Sequence, residues 1–456
     1  MSAVSPPALE LPRLSRLVRL AGPIVFAQIA FFGMNTTDTI VAGQLGADVL
    51  AGVALGGTML MIGMTFLLGF GLAVSPGVAH RIGEQREAAE IGRFSASALR
   101  LMVVLWTLWG VLLWLFPPLV LDQLSLEPAV RDGAVSYLRA LSLGTPFLGV
   151  FFALRNTLEG LGHSRPVMWI GFTALLLNIP LDLALMSGWG PLPALGALGC
   201  GLATALVQMW LAAAMVWLFW RDPRFVPYQP RGAWQPEAGR EVLQQGFPIG
   251  AALASETALF ATGGLLMTRF GTETIGASQI ALNFTGMMFM IALGLGQAVA
   301  VLIGQAAGAR QAAAVRRIGA LGYQSMCVLS GLIALLLLSM PAPIVALYTD
   351  DAAVAAIAVS FLRIAGVFHL VDALQALGSG MLRGLKDTAF VMQATTFAYW
   401  GVGGAAFIWL FHFKASGAQA VWWVYCAALA AAAALLGIRF AWQVRRLPAK
   451  YQESQT

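Results

Sequence analysis

The sequence predicts an all-α polytopic membrane protein: twelve transmembrane helices in two parallel six-helix bundles, related by a pseudo-two-fold along the membrane normal. Three observations carry this. Of 456 residues, 59% are hydrophobic and only 11% charged, whereas a soluble domain is about 25% charged. Apolar runs longer than about 18 residues recur along the chain, each enough to cross a ~30 Å hydrocarbon core. The chain also repeats itself. Pro23 pairs with Pro248, Gly46 with Gly271, Gly69 and Gly71 with Gly294 and Gly296, and Gly83 with Gly308, all at one spacing. At nearly the same spacing, Tyr137-Leu138-Arg139 returns as Phe361-Leu362-Arg363, and Gly160-Leu161 with Val167-Met168 returns as Gly384-Leu385 with Val391-Met392. The short alternating strands of an outer-membrane barrel are absent from the pattern.

In chain order, the hydrophobic windows place helices at 17–43, 50–79, 95–118, 133–157, 166–187 and 195–220, then at 242–268, 274–304, 317–340, 356–381, 388–412 and 417–440. Six fall in each half, and an even number per half makes the halves parallel. The stretch RDPRFVPYQPRGAWQPEAGR between them is rich in Pro and Arg and reads as a linker. The expected domains are an N-terminal lobe (1–220), a cytoplasmic linker (221–240) and a C-terminal lobe (241–456). Residues 1–16 are polar and proline-containing, and the first apolar run is too long for a signal-peptide core, so it is expected to stay as the first span.

The net charge of +6 does not point to nucleic acid, because the basic residues sit in short loops between spans. All but five of the 27 Lys and Arg fall on one side, among them Arg13, Arg16, Arg19, Arg81, Arg86, Arg93, Arg100, Arg310, Arg316, Arg317, Arg383 and Lys386. The opposite side keeps Arg131, Arg139, Arg269, Arg363 and Lys414, beside Asp48, Asp122, Glu127, Asp132, Asp350 and Asp351. The positive-inside rule therefore puts both termini and the linker in the cytoplasm. Cys200, Cys327 and Cys426 lie in apolar stretches without a CxxC pair, so neither a disulfide nor a metal site is expected from them.

Four carboxylates fall inside predicted spans: Asp38, Asp182, Glu256 and Asp372. Charging an acid at a helix centre costs on the order of 3 kcal/mol even on the lenient insertion scale, so each needs a partner, a proton or an ion. The structural alternative is an ion pair that locks two helices, but the candidate partners Arg139 and Arg363 lie near outer helix ends and can snorkel. Asp38 and Asp182 each lie close to the outer end of an outward-running helix, at similar depth. Asn178 and Asp182 share a helix face by i,i+4 spacing, and Pro180 between them frees the carbonyl of Leu176. This oxygen-rich group suits a hard cation and equally a proton.

Glu256 and Asp372 lie nearer the centres of helices 7 and 10. Around Asp372 the chain reads FHLVDALQALGSG, placing Phe368, His369, Gln375 and Ser379 on or near its face. His369 can titrate near neutrality or serve as a hydrogen-bonded packing residue. Gln279 and Asn283 form a further i,i+4 pair that can line a site or bond helix to helix. Asn156 sits at the wrong depth for the Asp38 group. The repeated Gly-x-Gly at 69–71 and 294–296 reads as a packing or flexing point, since no phosphate-binding context surrounds it.

These residues carry a resemblance. NTTDTIVAG in helix 1, LEGLGHSRPVM after helix 4 and LNIPLD in helix 5 resemble the multidrug and toxic compound extrusion (MATE) family. In the second half, Glu256, ASQIALN and VDALQ…GSGMLRGLKDT resemble its NorM-type bacterial branch. The resemblance spans roughly residues 13–446 and implies a V-shaped pair of six-helix bundles. It further implies export of small cationic amphipathic compounds in exchange for H+ or Na+, with no cofactor. On that pattern Asp38, Asn178 and Asp182 form the first-lobe cation or proton site, while Glu256 and Asp372 form the second, with Gln279, Asn283, Phe368 and His369 around it. Asp350, in the outer loop before helix 10, matches an acidic position linked to substrate binding. Phe368 departs from the Tyr expected four residues before Asp372, and the missing hydroxyl favours protons over sodium there.

The sequence thus reads as a secondary antiporter, acting as a monomer in the lipid bilayer and binding no metal beyond Na+ at these sites. The alternative is a flippase or exporter of a lipid-linked or other amphipathic metabolite, which needs basic residues in its cavity to hold phosphates; here the deep groups read as acidic. An enzyme is disfavoured, because neither a Ser/His/Asp arrangement nor HExxH occurs, and the absence of a P-loop excludes direct use of ATP.

Overall fold

The computed structural model describes residues 14–189, 193–413 and 417–453, so Arg13 and Lys414 lie outside the described residues. In chain order it contains α1 (Leu14–Leu45), α2 (Ala47–Gly83), α3 (Ala88–Leu115), a short α4 (Pro117–Leu121), α5 (Pro128–Ser142), α6 (Thr145–Gly160), α7 (Arg165–Ser187) and α8 (Ala197–Arg221). The second half contains α9 (Pro236–Met267), α10 (Thr272–Gly308), α11 (Ala312–Ser339), a short α12 (Pro341–Val345) and α13 (Ala352–Gly384). It ends with α14 (Thr388–Thr396), a π-helical segment (Phe397–Gly404), α15 (Ala405–Phe413) and α16 (Gln419–Glu453). No strand occurs among the described residues.

Ten of these helices are long and apolar enough to cross a membrane, and α5 with α6 make an eleventh when taken as one span bent by 50°. The remaining predicted span, 388–412, corresponds to α14, the π segment and α15 together. Two of the predicted spans are thus not single regular helices. The span at 133–157 breaks around Gly144, where α6 begins with Pro146 near its first turn, a position that suits proline's missing N–H. A side chain at Gly144 would lie 2.8 Å from the Cα of Ala205 on α8, so close helix approach requires glycine there. The span at 388–412 is interrupted by π geometry rather than proline.

The chain divides into two compact units. Of the described residues, one unit comprises Phe26–Gly250, and the other comprises those up to Val25 together with those from Ala251 onward. Both divisions fall inside continuous helices, two residues after the paired prolines Pro23 in α1 and Pro248 in α9. The stretch read as a linker is packed in the first unit. Gln229 donates to the Phe219 carbonyl at 3.0 Å, and the Gln235 backbone N–H donates to Ser97 Oγ at 3.0 Å.

The repeat read from sequence recurs as matching geometry. Gly46 and Gly271 precede α2 and α10 with φ of 125° and 93°, a region that side chains other than glycine's rarely occupy. In the first unit, a Cβ on Gly69 of α2 would fall 2.4 Å from the Cα of Gly250 on α9. In the second, a Cβ on Gly294 of α10 would fall 3.0 Å from the Cα of Val25 on α1. Both glycines let backbones meet, which makes the repeated Gly-x-Gly a packing device.

Candidate cation sites

Three helices of the first unit converge on Asp38, which sits on α1 about two turns before its end. Asn178 and Asp182 project from one face of α7, and all three residues are buried. Asn178 Nδ2 donates to Asp38 Oδ1 at 3.1 Å. From α8, the Thr204 hydroxyl lies 3.4 Å from Asp38 Oδ2 and 2.9 Å from the Cys200 carbonyl. One donor atom each from Asp38, Asp182 and Cys200 all lie within 4.8 Å of one another. The structure therefore brings together Asp38, Asn178 and Asp182 and adds Cys200 and Thr204, which sequence reasoning missed. Those two stand one turn apart in the stretch GCGLATALV of α8, among Gly, Ala, Leu and Val, where nothing in the pattern marks them.

The cage is short of partners. Both carboxylate oxygens of Asp182 and the amide oxygen of Asn178 are buried without a hydrogen bond. Two unit charges no more than 4.8 Å apart repel by about 3.5 kcal/mol or more at an effective dielectric constant of 20. A pair of carboxylates held this close and this dry is stable with a shared proton or with a cation between them. Tyr137 belongs to the same buried apolar cluster as Val41, Ala42, Met186 and Cys200.

In the second unit, Glu256 projects from α9 and is half-buried, while His369 and Asp372 on α13 are buried. The partner of Glu256 is one the sequence reading did not name. Tyr399 donates its hydroxyl to Glu256 Oε2 at 3.2 Å and accepts from Gln375 Nε2 at 2.9 Å; Gln375 Nε2 in turn lies 3.5 Å from Ser379 Oγ. Beside it, Trp400 Nε1 donates to Ser255 Oγ at 2.8 Å. Consecutive residues of the π segment thus hold consecutive residues of α9. Asp372 Oδ1 and His369 Nδ1 are buried without a partner.

The remaining predicted residues are placed differently. Phe368 packs against Phe260, Trp422 and Tyr425 at centroid distances of 5.8, 5.6 and 6.3 Å, inside an aromatic core. The hydroxyl it lacks is present at Glu256 in the form of Tyr399. Gln279 and Asn283 are exposed on α10, and Asn283 Oδ1 accepts from the Tyr348 hydroxyl at 3.1 Å. Among the described residues, no hydrogen bond joins either of them to Glu256 or Asp372. Asp350 is exposed, and its neighbour Asp351 caps α13 by accepting from the N–H groups of Ala353 and Val354. Arg139 and Arg363 are exposed and, among the described residues, form no ion pair with an intramembrane acid, whereas Arg383 of α13 is buried. Asn156 donates to the Phe152 carbonyl at 2.8 Å, apart from the Asp38 group.

A further polar group lies in the first unit. Arg155 Nε donates to Glu159 Oε1 at 2.8 Å, and Arg155 Nη2 donates to Gln28 Oε1 at 2.9 Å. The guanidinium also stands 5.3 Å from the centre of the Phe31 ring. With side chains only 4% and 1% exposed, this pair is self-neutralising, unlike either carboxylate site. Its signal was an i,i+4 Arg–Glu spacing at the end of an apolar run.

The model of the MatE family matches residues 23–184 and 248–407, well over half of the chain, and its two segments start at the paired prolines Pro23 and Pro248. The chain belongs to the MatE family. Members of this family are transporters, not enzymes. Its NorM-type relatives match almost end to end. The probable multidrug resistance protein NorM of Geobacillus kaustophilus is 36% identical over 429 residues, covering 93% of this chain and 94% of that protein. The multidrug resistance protein PmpM of Pseudomonas aeruginosa is 34% identical over 471 residues, covering 98% and 97%. Among solved structures, a MATE crystallised in complex with MaL6 superposes with a TM-score of 0.88 at 18% identity, over 96% of this chain and 97% of that one. A MOP superfamily transporter from Pyrococcus furiosus, whose binding pocket of reverse polarity suggests a different function, gives 0.86 at 19%, over 95% and 96%. At these identities the structures speak for the fold alone.

Proposed function

We propose that this MatE-family protein is a secondary active multidrug efflux antiporter of the bacterial inner membrane. It exports cationic amphipathic compounds in exchange for H+ or Na+. The observation that carries the reading is the close pairing of Asp38 with Asp182, for which no ion pair with a basic side chain occurs among the described residues and whose Asp182 oxygens are buried without a hydrogen bond. A permanent structural acid would be expected to hold an ion pair, as Glu159 does with Arg155. A coupling site instead needs a charge that a proton or metal ion can enter and leave. The relatives named for multidrug resistance support the cargo class. Each six-helix half is proposed as a lobe with its own site, the second formed by Glu256 and Asp372 with Tyr399. The residue set supports a cationic over a phosphate-bearing cargo. Among the described residues, four buried or half-buried acids (Asp38, Asp182, Glu256 and Asp372) stand against two buried arginines, of which Arg155 is neutralised by Glu159 and Arg383 remains.

The test is efflux of a fluorescent organic cation from proteoliposomes, with pH and sodium gradients imposed separately. Wild-type protein should drive uphill transport under at least one gradient, and Asp182→Asn should abolish it while inserting normally. Uphill transport at wild-type rate by Asp182→Asn, or equal transport without any gradient, would overturn the reading.

A further inference from the structure

Cys200 is the member of the first-unit cage that a proton or alkali ion does not call for. Hard cations select oxygen ligands, whereas a thiolate selects soft or borderline metals. We propose that the Asp38–Asp182–Cys200 cage binds a soft divalent metal ion of the Zn2+ or Cd2+ class, with the Cys200 sulfur as a ligand.

Three features on separate residues support this. Donor atoms of Asp38, Asp182 and Cys200 already lie within 4.8 Å of one another, and no other group of three His, Cys, Asp or Glu among the described residues comes as close. A tetrahedral metal with ligand bonds of about 2.0–2.3 Å needs donors roughly 3.5 Å apart, a closure within reach of side-chain rotation. Both oxygens of Asp182 are buried and unpartnered, so the ion meets ligands that have no hydrogen bond to break. Asn178 Oδ1, likewise buried and unpartnered, is available as the fourth ligand.

The charge balance favours a divalent over a monovalent ion. On binding, the metal–sulfur bond replaces the thiol S–H bond, and the proton leaves to solvent, so binding tightens as pH rises. Two carboxylates and one thiolate then face two positive charges. Cys327 is exposed and Cys426 is buried in an aromatic and apolar cluster, so neither shares this set of donors. Blocking of transport by the bound metal is a consequence that rests on the coupling reading above; the binding itself does not.

The test is titration of the purified full-length protein with Cd2+, read by the ultraviolet charge-transfer band that forms only when sulfur ligates cadmium. The band should appear and saturate in wild type and in Cys327→Ser/Cys426→Ser, and Zn2+ should displace it. Cys200→Ser should lose the band, and Asp182→Asn should weaken binding roughly ten-fold or more. A wild-type band in Cys200→Ser, or no band in a folded Cys327→Ser/Cys426→Ser protein, would overturn the assignment. If the double variant does not fold, the difference between wild type and Cys200→Ser decides. Coupled efflux by Asp182→Asn together with a Cys200-dependent band in wild type would refute the coupling reading and leave this one standing; lost efflux without a band would do the reverse.

Discussion

Tyr399 joins α9 to α13 through a single hydroxyl: it donates to Glu256 Oε2 at 3.2 Å and accepts from Gln375 Nε2 at 2.9 Å. The π segment makes this possible. A π turn adds a residue to the helical repeat, rotating the residues beyond it by about 100° relative to a regular α-helix. Tyr399 and its neighbour Trp400 both reach α9. π-helical turns recur at functional sites, and this one supplies the second-unit acid with an oriented donor.

Replacing Tyr399 by Phe keeps the ring and removes the bond. A hydrogen bond to a charged group contributes about 1.5–3 kcal/mol, so gradient-driven efflux should fall roughly ten-fold or more with insertion unchanged. In a Glu256→Gln background the same replacement should change residual transport or dye binding much less. Equal effects in both backgrounds would mean that Tyr399 acts on packing rather than through Glu256.

Helix geometry explains why the first site was legible and the second only partly so. Asn178 and Asp182 announce a shared face by i,i+4 spacing, and the cost of an acid in hydrocarbon flags Asp38 without any knowledge of tertiary structure. Thr204 and Cys200 give no such signal, because small residues are ordinary on packed membrane helices. Tyr399 was hidden for a different reason. Face arguments assume 3.6 residues per turn, and the segment FAYWGVGG does not keep that period. Phe368 was placed near the site by spacing from Asp372, yet its ring turns into the aromatic cluster with Trp422 and Tyr425. Glu159 escaped the count of intramembrane acids because the predicted helix ended at 157, whereas α6 runs on to Gly160.

The glycine contacts give a test of packing without chemistry. A Cβ on Gly69 would sit 2.4 Å from the Cα of Gly250, whereas one on Gly57 of the same helix would meet nothing within 4 Å. Gly69→Ala should force α2 from α9, costing about 1–3 kcal/mol or more. Gly57→Ala should be neutral or mildly stabilising, by up to about 1 kcal/mol. Thermal melts in detergent separate the two. Equal melting of both variants would show that the α2–α9 approach is not tight.

The Arg155–Glu159 pair should answer to the rules for buried ion pairs rather than to those for coupling sites. Removing one partner leaves the other charge stranded in an apolar interior, at a cost of about 3–5 kcal/mol, while replacing both by apolar groups is often neutral or stabilising. Arg155→Met should therefore melt well below wild type, and so should Glu159→Leu. Arg155→Met/Glu159→Leu should recover much of the loss, although Gln28 then loses the donor it now has at 2.9 Å and a residual deficit of about 1–3 kcal/mol is expected. The Asp38–Asp182 group behaves oppositely under this reading, since no cationic side chain of its own depends on it. Asp182→Asn should leave the melting temperature near or above that of wild type while removing coupled transport. Melting in detergent alongside flux in proteoliposomes measures both. A double variant no more stable than Arg155→Met, or an Asp182→Asn protein that unfolds like Arg155→Met, would show that the self-neutralised pair and the open acid pair are not the two different devices their partners indicate.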